Sequence, residues 1–128
     1  MAVTETANKA VVIAFYDAFT RADIGKFDEI LADHWVNHPA DPGRENTREG
    51  FKGGVSDFHD AFENFTIYRE AIIAEDNLVV CRITMTGRHV KSLGNWQASG
   101  KDETFSGMDM HRLEEGRIVE TWHFERMN

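Results

Sequence analysis

Residues 103–126 read Glu103-Thr104-Phe105-Ser106-Gly107-Met108-Asp109-Met110-His111-Arg112-Leu113-Glu114-Glu115-Gly116-Arg117-Ile118-Val119-Glu120-Thr121-Trp122-His123-Phe124-Glu125-Arg126. Two alternating runs flank the tight turn Glu114-Glu115-Gly116, so the stretch predicts a β-hairpin with strands at about 103–113 and 117–126. Because side chains alternate along a strand, Phe105, Gly107, Asp109, His111 and Leu113 share one face. That face is largely apolar, and an aspartate in it is unexpected. Upstream, Leu78–His89 predicts another strand, with Val79, Cys81, Ile83 and Met85 on one side and Arg82, Thr84, Thr86 and Arg88 on the other. A loop through Gly94 and Gly100 separates it from the hairpin. Phe65–Glu70 also alternates, and Asp76-Asn77 makes the turn into Leu78.

Before Asn64 the period is 3.6. From Thr4 to Ala22 the apolar residues Val11, Val12, Phe15, Ala18, Phe19 and Ala22 keep one helical face dry, with Thr4 or Thr6 as cap. A shorter helix is expected at about Ile24–Ala32 behind an Asp23 cap, with Phe27, Ile30 and Leu31 on one face. Pro39 pushes the His34–His38 segment into extended geometry, and the turn-rich residues 39–45 read as a surface loop. A third helix starts near Thr47, where Asn46 and Glu49 have capping spacing and Phe51, Val55, Phe58 and Phe62 form the stripe. Gly53-Gly54 inside it marks a kink or a close backbone approach. Helices followed by hairpin-connected strands predict an α+β fold: a curved, mostly antiparallel sheet of about four main strands wrapped around three N-terminal helices. Three helices cannot fill a curved sheet evenly, so a cone-shaped pocket is expected between them.

The 128 residues fit one domain, 1–128. A net charge of −8 repels phosphate backbones and anionic lipid heads, so neither nucleic acid nor membrane is expected as a partner. The single cysteine, Cys81, allows no internal disulfide and reads as inert core. With no signal-peptide pattern at MAVTETANKA, the expected location is cytoplasmic. The six histidines show no HExxH and no His-x-His spacing, so no metal is expected. No phosphate-binding or dinucleotide fingerprint is present, and no cofactor is expected.

Two readings of Asp109 stand at this point. A carboxyl group among apolar neighbours has its pKa raised, which suits proton transfer near neutral pH. Alternatively it pairs with Arg112 or Arg117, or faces solvent. His38, at a strand end before Pro39, is either a substrate-facing histidine or a turn residue. His89 and His111 share parity with the inward rows and are candidate substrate contacts. Trp96, in the loop, is a candidate lid residue, and Trp122 either core or pocket wall. Phe15, Tyr16, Phe51 and Phe58 are candidate wall residues. His34, His59 and His123 read as surface or structural.

Several segments together resemble the SnoaL-like polyketide cyclases, of the superfamily that shares the nuclear-transport-factor and ketosteroid-isomerase fold. These are Phe15-Tyr16-Asp17-Ala18-Phe19, Val36-Asn37-His38-Pro39, Arg48-Glu49-Gly50-Phe51, the stretch from Gly87-Arg88-His89 to Ser99-Gly100-Lys101, and the 105–122 block. Two departures stand out: Asn95-Trp96-Gln97-Ala98 replaces the family's loop prolines, and Phe15 falls where the isomerases carry an oxyanion tyrosine, with Tyr16 next to it. The resemblance implies a cofactor-free acid/base enzyme acting on an enolisable carbonyl compound by intramolecular aldol closure. It assigns Asp109 as proton carrier and His38 as enolate stabiliser. Alternatives are an isomerase or dehydratase in the same pocket, or a non-catalytic binding module for a hydrophobic or aromatic small molecule. A homodimer through the sheet is expected, with Ile67, Arg69, Thr84 and Thr86 as outward residues.

Overall fold

The amphipathic segments fold in the expected order in the computed structural model, which describes residues 2–127. They are α1 (Ala2–Arg21), a single 3-10 turn (Ile24–Lys26), α2 (Phe27–Ile30), β1 (Leu31–His38), α3 (Arg48–Ala61), β2 (Phe62–Glu75), β3 (Leu78–His89), β4 (Asp102–Glu114) and β5 (Arg117–Met127). The sheet has five strands rather than four, in the order β1-β5-β4-β3-β2. Strands β2 to β5 pair antiparallel, and β1 adds to the β5 edge in parallel. The helices cover one face, and the core between the layers is rich in aromatic side chains, among them Phe15, Phe27, Trp35, Phe51 and Phe62.

Local differences from the sequence reading have physical causes. Thr4 and Thr6 lie inside α1 rather than at its cap. The second helix stops at Ile30, because Leu31 turns extended (φ −96°, ψ 137°) to start β1, and Asp23 makes no capping bond. At α3 the cap is Thr47, whose Oγ1 accepts the Gly50 N–H at 2.9 Å. Asn46 is used elsewhere: it accepts the Asn37 N–H at 2.8 Å and donates to the Asn37 carbonyl at 2.7 Å, tying the loop to β1. Gly54 allows a close approach. A Cβ there would collide with the Asp41 carboxyl group, so Asp41 can hold its present place against α3 only because the side chain is missing.

Register decides which side chains face the helices. An unbroken hairpin closed by Glu115-Gly116 would set Trp122 opposite Asp109. Instead Leu113 pairs with Ile118 but Arg112 pairs with Glu120, leaving Val119 as an extra residue. This bulge turns the rest of β5 over, so Thr121, His123 and Glu125 share the face of His111 and Asp109. On β2, Ile67 is buried among the helices and Arg69 reaches Asp17 of α1 at 2.8 Å, so neither belongs to the outer sheet face. Thr84 stays on that face, opposite Tyr68. Among the described residues no helix is long and apolar enough to cross a membrane.

Candidate active site

Between α1, α3 and the inner face of the sheet lies a cavity of about 90 Å³. Its walls are aromatic and aliphatic: Phe15, Phe19, Phe51 and Phe58 come from the helices, and Ile83 and Phe105 from the sheet. Its polar groups converge from four elements. They are Tyr16 on α1, Asn37 on β1, Asp109 on β4, and Thr121, His123 and Glu125 on β5, with Asp41 entering from the loop.

Asp109 sits at the end of a directional hydrogen-bond chain. Its Oδ2 accepts the Tyr16 hydroxyl at 2.6 Å, which uses the only proton that oxygen carries. His111 Nε2, 2.8 Å from the same phenolic oxygen, must therefore be the donor there. Burial holds the His111 imidazole at a pKa of about 3, so the ring is neutral, and its Nδ1 accepts from Thr121 Oγ1 at 2.9 Å. Thr121 in turn accepts the Trp35 Nε1–H at 3.1 Å. From Trp35 through Thr121, His111 and Tyr16, every donor points toward Asp109.

The other oxygen, Asp109 Oδ1, is buried and has no protein partner. Burial is the main reason the Asp109 carboxyl group is pushed up to about 7; the Tyr16 bond and the His123 charge pull down, and Glu125 pushes up. The group is thus half-ionised near neutral pH, with one oxygen fixed by Tyr16 and the other without a protein partner. Burial and the nearby Asp109 charge also raise the Tyr16 phenol well above its ordinary value, so it stays a donor.

His123 is an imidazolium on geometric grounds. Its Nδ1 is 2.8 Å from Glu125 Oε2 and its Nε2 is 2.7 Å from the Pro39 carbonyl oxygen. Both partners only accept, so both ring nitrogens carry hydrogen. Burial alone would lower its pKa, but the bonds to Glu125 and Pro39 and the charges of Glu125 and Asp109 outweigh that and bring it to about 9. Burial raises Asp41 to about 6, with His123 drawing it down.

Of the residues singled out in the sequence, Asp109, Phe15, Tyr16, Phe51 and Phe58 line this cavity. Both Phe15 and Tyr16 reach it, so the one-residue offset on α1 does not remove a tyrosine from the site. His111 lies one step behind the lining, holding Tyr16. The other four are elsewhere. His38 points to the outer face, where it stacks on Trp122 at 5.4 Å and donates to Glu120 at 2.8 Å. That contact also removes Trp122 from the pocket. His89 is fully buried but stacks on Phe62 at 4.3 Å and bonds Glu103 at 2.9 Å, at the edge of the core. Trp96 is no lid: it packs on Phe62 and Phe105, both at 5.2 Å.

Sequence reasoning missed Asn37, Asp41, Thr121, His123 and Glu125. The parity of β1 gives a signal for Asn37, because buried Trp35 puts residue 37, not residue 38, on the inner face. No such signal exists for β5, whose bulge hides the parity. Cys81 is buried, with its thiol pushed up to about 11 by burial and by Asp109, which pairs with it across β3 and β4. Among the described residues no group of three or more His, Cys, Asp or Glu side chains is placed to hold a metal ion.

Comparison with known proteins fits this fold. The structure is similar to that of TsrD from Streptomyces laurentii, with a TM-score of 0.84, 21% identity and coverage of 94% of this chain and 88% of that one. IdmH from Streptomyces antibioticus, a proposed polyketide cyclase, matches with a TM-score of 0.79, 25% identity and coverage of 92% and 91%. AclR from Streptomyces galilaeus, a proposed hydroxylase, matches with a TM-score of 0.81, 21% identity and coverage of 97% and 92%. No curated protein sequence matches the chain. The family model for SnoaL-like polyketide cyclases matches residues 10–126, nearly the full length, and the chain belongs to the SnoaL-like polyketide cyclase family.

Proposed function

We propose that the protein is a cofactor-free acid/base enzyme in which Asp109 carries a proton to and from an enolisable carbonyl compound. The observation that carries this reading is the asymmetry of its carboxyl group, on a residue that lines an apolar cavity: Oδ2 is held by Tyr16, and Oδ1 is buried with no protein partner. In an intramolecular aldol closure, ionised Asp109 removes a proton alpha to a carbonyl, leaving an enolate. The enolate carbon bonds to a second carbonyl carbon of the same molecule, and the resulting alkoxide takes the proton back from Asp109. Atoms and charge balance with no oxidant or reductant. The His123 imidazolium, directly across the strand pair from Asp109, stabilises the negative charge that develops. His38 has no part in this step, since its side chain lies on the outer face.

The aromatic walls favour a hydrophobic or aromatic substrate and exclude water from the enolate. Exposed Tyr68, Met108 and Phe124 on the outside of the sheet support a homodimer through that face. Sedimentation showing only a 14.6 kDa particle at all micromolar concentrations contradicts the dimer.

Proton abstraction can be tested without the natural substrate. In D2O at pH 7.5 the wild-type protein is expected to accelerate exchange of the C2 protons of 1-tetralone, followed by proton NMR. Asp109→Asn, which keeps shape and hydrogen bonding, should lower that acceleration by about 10²–10⁴-fold. Equal exchange by wild type and variant overturns the assignment.

A further inference from the structure

Four buried side chains, Trp35, Thr121, His111 and Tyr16, lead to Asp109, and their chemistry permits one direction of hydrogen bonding. Thr121 reaches this row because the Val119 bulge turns β5 over. The Trp35 indole can only donate, and it fills one lone pair of Thr121 Oγ1 at 3.1 Å. Among the described residues the Thr121 hydroxyl hydrogen has one acceptor, His111 Nδ1 at 2.9 Å. Nδ1 is therefore bare and Nε2 carries the ring hydrogen. Tyr16 accepts that hydrogen and must send its own to Asp109 Oδ2.

The reverse direction is the alternative. Asp109 protonated on Oδ2 would donate to Tyr16, Tyr16 to His111 Nε2, and His111 Nδ1 to Thr121. Thr121 would then accept two bonds and keep a buried hydroxyl hydrogen with no acceptor, which carries the desolvation penalty of an unmade bond. The competition is thus decided at Thr121, two side chains away from the carboxyl group. With Oδ2 reserved for the Tyr16 hydroxyl, an arriving proton goes to Oδ1, the oxygen with no protein partner. The titratable groups facing the chain are Cys81 on β3, His123 and Glu125 on β5, and Asp41 in the loop, and the Thr121 hydroxyl bonds none of them.

We propose that Thr121 is a positioning residue: acting through His111 and Tyr16, its hydroxyl fixes the direction of the chain and so confines the proton that Asp109 carries to Oδ1. The proposal rests on the reading of Asp109 as the proton carrier. Thr121→Val tests it, being close in shape and a strong strand former while lacking the hydroxyl. In that variant Nδ1 has no partner in either direction, so the preference is lost and the form protonated on Oδ2 appears. Long-range proton–nitrogen NMR on nitrogen-15 histidine protein reads the tautomer, with His111→Phe identifying the ring. Wild-type His111 should hold its hydrogen on Nε2 at both pH 6 and pH 8.5. Thr121→Val should match it at pH 8.5, where ionised Asp109 keeps the Tyr16 hydroxyl, but carry about half of the ring hydrogen on Nδ1 at pH 6. The Asp109 midpoint should rise by about 0.3–1 pH unit, since a second protonation site as good as the first already adds about 0.3. Tetralone exchange should fall about two- to eightfold at pH 6.5 and largely recover at pH 8.5, whereas general damage lowers it at both. Thr121→Ser, which keeps the hydroxyl, should restore the tautomer, the midpoint and the exchange. If the valine variant does not fold, Thr121→Ala takes its place against serine.

Several results overturn the proposal: Nδ1–H in the wild type, an unchanged tautomer and midpoint without the hydroxyl, the same changes in Thr121→Ser, or exchange lowered equally at both pH values. If tetralone exchange is absent from the wild type while the tautomer follows Thr121, the catalytic reading falls and the fixed direction stands. If exchange depends on Asp109 but the tautomer ignores Thr121, the Thr121 assignment alone falls.

Discussion

Asp109 and His123 are direct cross-strand partners on β4 and β5, and one bulged residue, Val119, makes them so. The consequence is a buried carboxyl group facing an imidazolium across the sheet. His123 draws the Asp109 pKa down while burial pushes it up, and the balance falls at about 7. Since His123 is itself fixed by Glu125 and the Pro39 carbonyl, its charge is held in place before any substrate enters.

Tyr16→Phe should separate positioning from proton transfer. It removes the donor to Asp109 Oδ2 and leaves His111 Nε2 without its partner, which costs about 1–3 kcal/mol of stability. The Tyr16 bond lowers the Asp109 pKa, so losing it moves the titration upward. The rise of the exchange rate with pH, which follows ionisation of Asp109, should shift to higher pH, not merely fall in height. A profile that drops without moving contradicts the role given to Tyr16.

Stability should fall between pH 7 and 9 because of His123. Its folded pKa of about 9 lies above the unfolded value, so its contribution is complete below about pH 6.5 and is lost as pH rises through 9. The groups facing it are Glu125, Asp109, Asp41 and the Pro39 carbonyl. His123→Gln should lower stability at pH 7 by roughly 1–3 kcal/mol and flatten the decline toward pH 9. Thermal unfolding followed by circular dichroism from pH 6 to 10 reads both effects. A wild-type curve that is flat from 7 to 9 contradicts the doubly protonated ring.

Asp109 has the same sign over a lower window. Its pKa is raised, so the stability it contributes is complete below about pH 4 and is lost as pH rises through about 7. Asp109→Asn should therefore be more stable than wild type at pH 8, by on the order of 1–4 kcal/mol, while losing exchange activity. Urea titrations of both proteins at pH 8 check this, and a less stable variant contradicts a costly buried charge.

Thr47→Ala should cost about 1 kcal/mol, the loss of the bond from Gly50 N–H that starts α3. Asn46→Ala should instead act on the cavity, since Asn46 clamps the backbone of Asn37. Equilibrium unfolding and tetralone exchange, measured on both variants, distinguish them. Equal effects of the two on exchange contradict the division of labour.

Much of the fold was legible because period and turn chemistry are local. The alternation of Val79, Cys81, Ile83 and Met85 fixed the inward face of β3, and the odd aspartate on β4 marked the cavity. Failures followed register, which is not local. A one-residue bulge at Val119 turns β5 over, so the pocket position that strand alternation gives to Trp122 is taken by His123. On β1 the eye goes to His38 before Pro39, but the pleat gives the inner face to Asn37. Asp41 entered only through a loop packed on Gly54, a contact between residues whose proximity no periodicity reports. A tryptophan in a loop looks free to act as a lid, but Phe62 and Phe105, distant in sequence, give Trp96 a surface to pack on.

The most direct test of the central claim needs no substrate. Carbon-13 labelling of aspartate, with Asp109→Asn to assign the signal, gives the Asp109 carboxyl titration by NMR. The account predicts a midpoint of about 7, shifted further upward in Tyr16→Phe. A midpoint near 4, the ordinary aspartate value, means a fully ionised carboxylate at neutral pH and contradicts Asp109 as a proton carrier poised at that pH.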